Sequence, residues 1–242
     1  MAVDHQDYSD MNFTPIEGGA NQFAGLEEIT QADVEKLLKK RDQIEEFQVL
    51  MMKYDCALSE VRTKLDVLNK ELALRTKRNP FEAIKMRIKT PVSIYNKLSS
   101  KGVDFTIENI NKNLSDIAGI RVICSFVDDI YMLADCLAGQ DDIRVLQKKD
   151  YIKKPKSSGY RSLHLIIEIP IFLTTEKEYM KVEVQFRTIA MDFWASLEHK
   201  MKYKKDIVNA EVISEDLKFS ADLINQIDKR MQQIREKIDA NE

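Results

Sequence analysis

Lys181-Val-Glu-Val-Gln-Phe-Arg187 alternates polar and apolar residues without a break. Successive side chains of a strand point to opposite faces. Val182, Val184 and Phe186 therefore share one face, and Lys181, Glu183, Gln185 and Arg187 the other. One face packs while the other presents a row of polar groups. The preceding stretch behaves alike: Tyr160, Ser162 and His164 fall on one side, Leu163, Leu165 and Ile167 on the other. Strands are expected over Tyr160–Ile169, ended by Pro170, and over Met180–Arg187. Gly119–Phe126 is β-branched and reads as a third strand, Asp142–Leu146 as a fourth. Between them Asp128–Leu137 has helical spacing, Pro91–Leu98 is a short helix with proline near its start, and Thr188–Tyr203 resumes helical periodicity.

Long helices flank this region. Tyr54, Leu58, Val61, Leu65, Leu68 and Leu72 step by four and three residues along one helix face, and Asn79-Pro80 stops the run. Thr30 reads as its N-cap, with Asp33 three residues on. At the other end Leu217, Ile224, Met231 and Ile238 recur every seven residues with Ile227 and Ile234 between them, a seam for another helix. The expected fold is α/β, a central mixed sheet flanked by helices, with long N- and C-terminal helices. The divisions are a flexible acidic tail at 1–28, N-terminal helices at 29–78, an α/β core at 79–205 and a C-terminal helix at 206–242.

Composition narrows the function. The 242 residues carry a formal charge of −3, which argues against a broadly basic nucleic-acid binder. Nothing approaches a membrane-spanning apolar run, and residues 1–35 lack Lys and Arg, against a secretory or transit leader. Cys56, Cys124 and Cys136 form no disulfide or zinc spacing; they read as buried thiols in a cytoplasmic protein. No glycine-rich phosphate loop, nucleophile elbow or His-Asp metal dipeptide occurs.

Chemistry concentrates on the sheet. Asp116 precedes the Gly119 strand, and Glu183 sits on the polar face of another. Two carboxylates at strand mouths suit Mg²⁺, which keeps several waters and leans on substrate phosphates. Lys85, Arg87 and Lys89 alternate before the Pro91 helix, followed by Lys97, while Lys148, Lys149, Lys153, Lys154 and Lys156 cluster before Tyr160. In an acidic chain, cations gathered around a carboxylate pair point to polyphosphate binding. Ser157-Ser158-Gly159 loosens the loop, and Tyr160 at its exit could stack on a purine.

These residues carry a resemblance. Asn-Leu-Ser-Asp116-Ile-Ala-Gly-Ile-Arg121-Val, Lys156-Ser-Ser-Gly-Tyr160-Arg161-Ser-Leu-His164 and Glu183-Val-Gln185-Phe-Arg187-Thr resemble the (p)ppGpp synthetase motifs of the RelA/SpoT superfamily. Ala190-Met-Asp192-Phe-Trp-Ala-Ser-Leu-Glu198-His199-Lys resembles the small alarmone synthetases, nearest the RelP-type branch. The resemblance implies a nucleotidyltransferase-like synthetase fold. It also implies transfer of pyrophosphate from ATP to the 3′-hydroxyl of GDP or GTP, releasing AMP. On that basis Asp116 and Glu183 hold Mg²⁺, and Glu183 helps deprotonate the hydroxyl. Arg87, Lys89, Ser93, Lys97 and Arg121 face ATP. Lys154, Lys156, His164 and Gln185 lie on the GDP/GTP side, Tyr160 stacks on guanine and Asp192 reads its edge. Relatives often carry another basic residue where this chain has Ser100; Lys101 stands beside it.

The resemblance further implies a bacterial, cytoplasmic homotetramer assembled through terminal helices, with no hydrolase activity, membrane association or stable nucleic-acid partner. Two other readings remain: a tRNA-modifying toxin of the same superfamily, which salt-dependent tRNA binding would favour, and an inactive nucleotide-binding regulator. Nucleotide turnover separates both from a synthetase.

Overall fold

The computed structural model describes residues 31–202 and 210–241. The N-terminal tail at 1–28, the Thr30 cap and the segment joining the last two helices lie outside them. The chain divides at residue 44; Gln31–Ile44 is helical, and the sheet and every candidate site residue belong to the unit beginning at Glu45.

The elements run α1 (Gln31–Thr76), β1 (Phe81–Ile88), α2 (Pro91–Ser99), α3 (Ile107–Asn113), β2 (Ala118–Cys124), α4 (Val127–Ala138) and β3 (Arg144–Asp150). β4 (Leu163–Phe172), β5 (Lys177–Thr188), α5 (Ile189–Lys202) and α6 (Ala210–Asp239) complete them. The sheet order is β1-β2-β5-β4-β3, with β2 and β5 parallel and the other neighbours antiparallel. It is the expected mixed sheet between long terminal helices.

The apolar face of this sheet supplies Ile120, Val122, Leu165, Ile167, Val182, Val184 and Phe186 to one hydrophobic cluster. Tyr54, Leu58, Val61, Leu65, Leu68 and Leu72 of α1 join it, all buried. The three-four spacing thus marks the buried stripe of α1. A second cluster joins α5 to α6 through Trp194, Ala195, Leu217 and Ala221, with Tyr160 and Ile224 against it.

Local chemistry sets the ends. Thr90 caps α2, accepting from the Ser93 amide at 3.3 Å ahead of Pro91, and Thr106 caps α3 by accepting from the Asn109 amide at 3.2 Å. Thr188 accepts the Met191 amide at 3.1 Å, starting α5 straight from β5.

Several expectations need correction. Phe81–Ile88 is a strand; the alternation of Lys85 and Arg87 is strand alternation, and β1 covers the β2 edge. Residues 107–113 form a helix that the sequence reading had left unassigned. β3 runs to Asp150, so Lys148 and Lys149 lie on an edge strand, not in a loop. β4 begins only at Leu163, because Gly159 takes φ +87° and turns the chain. Pro170 does not end β4. β3 pairing stops at Glu168, so the missing amide of Pro170 breaks no ladder bond on that side. Of the cysteines only Cys124 is buried; Cys56 and Cys136 sit half-buried at the rim of the core.

Candidate active site

Strand register builds the site. Lys85 on β1 pairs with Arg121 on β2, Arg121 with Gln185 on β5, Gln185 with His164 on β4, and His164 with Lys149 on β3. One polar row thus crosses all five strands. The next row sets Arg87 opposite Gly119 and Gly119 opposite Glu183. Gly119 contributes no side chain between them. A cleft of about 100 Å³ opens there, lined by Lys85, Met86, Arg87, Gly119, Ile120, Arg121 and Gln185.

Asp116 lies two residues before β2. Its Oδ2 accepts from Lys97 at 2.6 Å and Lys89 at 3.0 Å. The Lys89 amide donates to the Ile117 carbonyl at 2.8 Å, which ties the β1 exit to the β2 entry. Burial pushes the Asp116 carboxyl up, but the two lysines outweigh it and hold it below the usual carboxylate range. The same charge reaches α1: burial and Asp116 together push the Tyr54 hydroxyl up to about 12.

Glu183 Oε1 lies 3.1 Å from His164 Nδ1, and its Oε2 accepts from the Gln185 amide at 2.9 Å. Burial raises this carboxyl as well, yet His164 and Gln185 bring it below its ordinary value. His164 Nε2 is 2.9 Å from the Tyr160 hydroxyl, so Glu183, His164 and Tyr160 form a chain of polar contacts. Arg187 closes it, donating to Tyr160 at 2.8 Å and to the Gln185 Oε1 at 2.9 Å. The Lys156 ammonium lies 4.9 Å from the Tyr151 ring centre and 5.1 Å from that of Tyr160. Both rings stand edge-on to His164.

Asp192, on the first turn of α5, is buried. Its Oδ1 accepts from Arg121 at 3.1 Å and Arg187 at 3.2 Å, its Oδ2 from Lys85 at 2.9 Å. Burial opposes ionisation, but the Lys85 bond and the two guanidiniums hold the carboxyl below its usual range. Asp192, expected to read a guanine edge, here holds cations from β1, β2 and β5 on both its oxygens.

The remaining expected residues are placed unevenly. Arg87 lines the cleft, and Ser93 Oγ is 2.9 Å from Thr90 Oγ1 at the start of α2. Lys154 is exposed on the loop, its amide bonded to the Asp150 carbonyl at 3.1 Å. Lys101 donates to the Asn113 carbonyl at 2.7 Å. Arg187 and Tyr151 were not singled out as site residues. Strand alternation alone put Arg187 on the right face, but nothing local marked Tyr151, which reaches the site through tertiary packing.

Asp116 Oδ1 is buried with no hydrogen-bond partner, and a cation would satisfy it. Among the described residues no cluster of three His, Cys, Asp or Glu side chains could cage a metal. Mg²⁺ needs no cage when water and phosphate oxygens complete its shell. Two ionised carboxylates among cations fit that mode.

Comparison with known proteins gives a consistent picture. A family model described as the region found in RelA / SpoT proteins matches residues 86–208. The chain is 43% identical over 196 residues to the GTP pyrophosphokinase YwaC of Bacillus subtilis, covering 81% of this chain and 93% of that one. The solved structure of small alarmone synthetase 2 from Bacillus subtilis superposes with a TM-score of 0.70 at 43% identity, covering 77% of this chain and 97% of that one. Small alarmone synthetase 1 of Bacillus subtilis, solved bound to its product pppGpp, superposes with a TM-score of 0.73 at 31% identity, covering 80% and 98%.

Proposed function

The chain belongs to the RelA/SpoT family and is a GTP pyrophosphokinase, a small alarmone synthetase that makes (p)ppGpp; we propose that Asp116 and Glu183 are its catalytic pair and hold Mg²⁺. The ion would supply positive charge against the phosphates of both nucleotides. The observation that carries this assignment is the buried, unpartnered Asp116 Oδ1 beside Lys89 and Lys97.

The residues divide the work. Arg87, Lys89, Ser93, Lys97 and Arg121 line the side that takes ATP, where Lys and Arg offset phosphate charge. Lys89 and Lys97 now neutralise Asp116, and each can turn to a phosphate oxygen as nucleotide arrives. Lys154, Lys156, Tyr160, His164 and Gln185 take the GDP or GTP acceptor. The Tyr160 ring lies against guanine in place of the Lys156 ammonium that now covers it. Asp192 serves both sides by fixing Arg121 and Arg187. Glu183, ionised and aimed by His164 and Gln185, accepts the proton of the 3′-hydroxyl. The 3′-oxygen bonds to the ATP β-phosphorus as the bond from that phosphorus to the α,β-bridging oxygen breaks. The electron pair leaves with AMP.

The enzyme is proposed to work as a cytoplasmic homotetramer. The C-terminal helix is its assembly element, supported by the apolar residues exposed along α6. No helix among the described residues is long and apolar enough to cross a membrane.

The test is direct. Protein incubated with ATP, Mg²⁺ and GDP or GTP is expected to yield AMP and a guanosine tetra- or pentaphosphate in equal amounts on anion exchange. Asp116→Ala and Glu183→Ala are each expected to lose at least about 100-fold in rate, the scale of one lost electrostatic or general-base contribution. Removal of divalent cation by EDTA is expected to abolish turnover, and wild-type rates in either variant would refute the assignment.

A further inference from the structure

The loop between β3 and β4 carries Lys154, Lys156 and Tyr160. Its base is tied by the Tyr151 amide to the Ser162 carbonyl at 2.9 Å, and its inner side rests on the sheet through Ser162 Oγ to the Phe186 carbonyl at 3.0 Å and the Tyr160 hydroxyl between Arg187 and His164. Gly159 donates its amide to the Lys156 carbonyl at 2.9 Å, and the Lys156 amide reaches the Tyr160 carbonyl at 3.2 Å. Those two bonds shape the outer turn at Lys156–Tyr160.

The outward side of this turn is docked by α6. Arg161 points away from the cleft: its Nη1 donates to the Gly159 carbonyl at 3.1 Å and the Ala221 carbonyl at 3.3 Å, its Nη2 to Asp222 Oδ1 at 2.9 Å. One guanidinium thus staples the loop backbone to the helix backbone, with a carboxylate on the helix as counter-charge. Contact is tight beside it. A Cβ built on Gly159 would lie 2.6 Å from the Ala221 Cβ, and φ of +87° already favours glycine there. Tyr160 packs on the cluster that joins α5 to α6.

We propose that α6 is the seat of the acceptor loop and that Arg161 is its clasp, a positioning residue that sets acceptor affinity through Tyr160 and Lys156 without touching nucleotide. The proposal rests on the assignment of Tyr160 to the acceptor. Preorganisation supplies the mechanism, since a loop docked before binding has less entropy left to lose. A loop that holds its competent arrangement a tenth of the time shows an affinity weaker by about tenfold.

The experiment titrates GDP into wild type, Tyr160→Ala, Arg161→Ala, Arg161→Lys and Asp222→Asn, and measures KM for GDP and for ATP separately, with melting curves alongside. Arg161→Ala is expected to raise the GDP Kd and KM about tenfold and leave the ATP KM unchanged. Arg161→Lys and Asp222→Asn each remove part of the clasp and should fall between. Ala221→Leu crowds Gly159 from the helix side, keeps Arg161, and carries the test should Arg161→Ala not fold. Equal rises in both KM values, tracking a lowered Tm, would mean general destabilisation and overturn the proposal. Unchanged GDP affinity in the Arg161 and Asp222 variants, with Tyr160→Ala still impaired, would overturn it and leave the acceptor assignment standing. Unchanged affinity in Tyr160→Ala would instead remove the acceptor assignment, and the proposal with it.

Discussion

Asp192 concentrates more charge than any other single residue of the site. Three cations converge on its two oxygens, and two of them, Arg121 and Arg187, are themselves largely buried. Burial lowers the Arg121 guanidinium, and the neighbouring Arg187 lowers it further, so the two cations tolerate each other only through the shared carboxylate. Truncating one partner of a buried ionic cluster leaves uncompensated charge, at a cost of about 3 kcal/mol. Asp192→Ala is expected to lose about that much stability in urea unfolding and to raise KM for both nucleotides, since it releases residues on both sides. A variant affecting guanosine nucleotide alone would instead support the expected role of Asp192 at the guanine edge. The proposed catalytic pair makes a prediction in pH. Asp116 and Glu183 are both held below the ordinary carboxylate range, so they stay ionised and contribute stability above their unfolded pKa values, near 4. That contribution is lost as pH falls through the lower folded values. The pH dependence of kcat/KM should therefore show no carboxylate limb between about pH 5 and 8. Lys97→Ala removes one of the two bonds opposing burial, and the acidic limb should move upward. A limb near pH 6 in the wild type would contradict this balance.

At the scale of elements, the join between β5 and α6 turns on Asp228. It is buried on α6 and accepts a hydrogen bond from Thr188, the residue that ends β5 and caps α5. Burial raises its carboxyl and the Thr188 bond only partly offsets this. A raised folded pKa means a contribution to stability that is full below the unfolded value and lost as pH rises through the folded one. The ionised group is thus a liability at neutral pH. Asp228→Asn keeps an acceptor for Thr188 and sheds the charge, and is expected to raise Tm by a few degrees at pH 7, about 1 kcal/mol, and less at pH 4. A lower Tm at pH 7 would show that the charge is needed. Such a residue also marks where reading the sequence stops. β5 and β2 were legible because period-two alternation states which side chains share a face, and Glu183, Gln185 and Arg187 followed at once. β1 was not, because two cations and a glutamate in an eight-residue run look like a solvated segment until a partner strand covers them. The irregular stretch at Tyr160–Ser162 was hidden for the opposite reason: its alternation continues the strand pattern, and β4 pairing begins only at Leu163, after Gly159 at φ +87° turns the chain. Tyr151 and the Asp192 anchor depend on register across strands distant in sequence, which no local pattern contains.

On the scale of the whole molecule, the question is what covers the far face of α6. Leu217 and Ala221 are buried against Trp194, but Ile227, Met231, Ile234 and Ile238 are 41–59% exposed, and Phe219 and Leu223 beside them are exposed too. On α5, Ile189, Phe193, Leu197 and Met201 repeat every four residues and are likewise exposed. Of the expected heptad seam, Leu217 and Ile224 are thus consumed within the chain, and Ile227, Met231, Ile234 and Ile238 are left over. Apolar surface of this kind along one helix marks an interface, and the charge of −3 is too small to keep copies apart. Sedimentation at micromolar concentration is expected to give a species of four chains, with a Tm that rises with protein concentration because association stabilises the folded chain by mass action. Ile227→Glu combined with Ile234→Glu places charge in the middle of the leftover seam without touching Leu217, Ala221 or the cleft. This variant should sediment as a smaller species and lose the concentration dependence of Tm. Because α6 also seats the acceptor loop, its GDP KM should rise while its ATP KM holds, the same signature as the Arg161 variants reached from the opposite face of the helix. A wild-type monomer at these concentrations would refute the assembly. A dissociated variant with unchanged GDP KM would show that the loop is seated by α6 within a single chain and needs no neighbour.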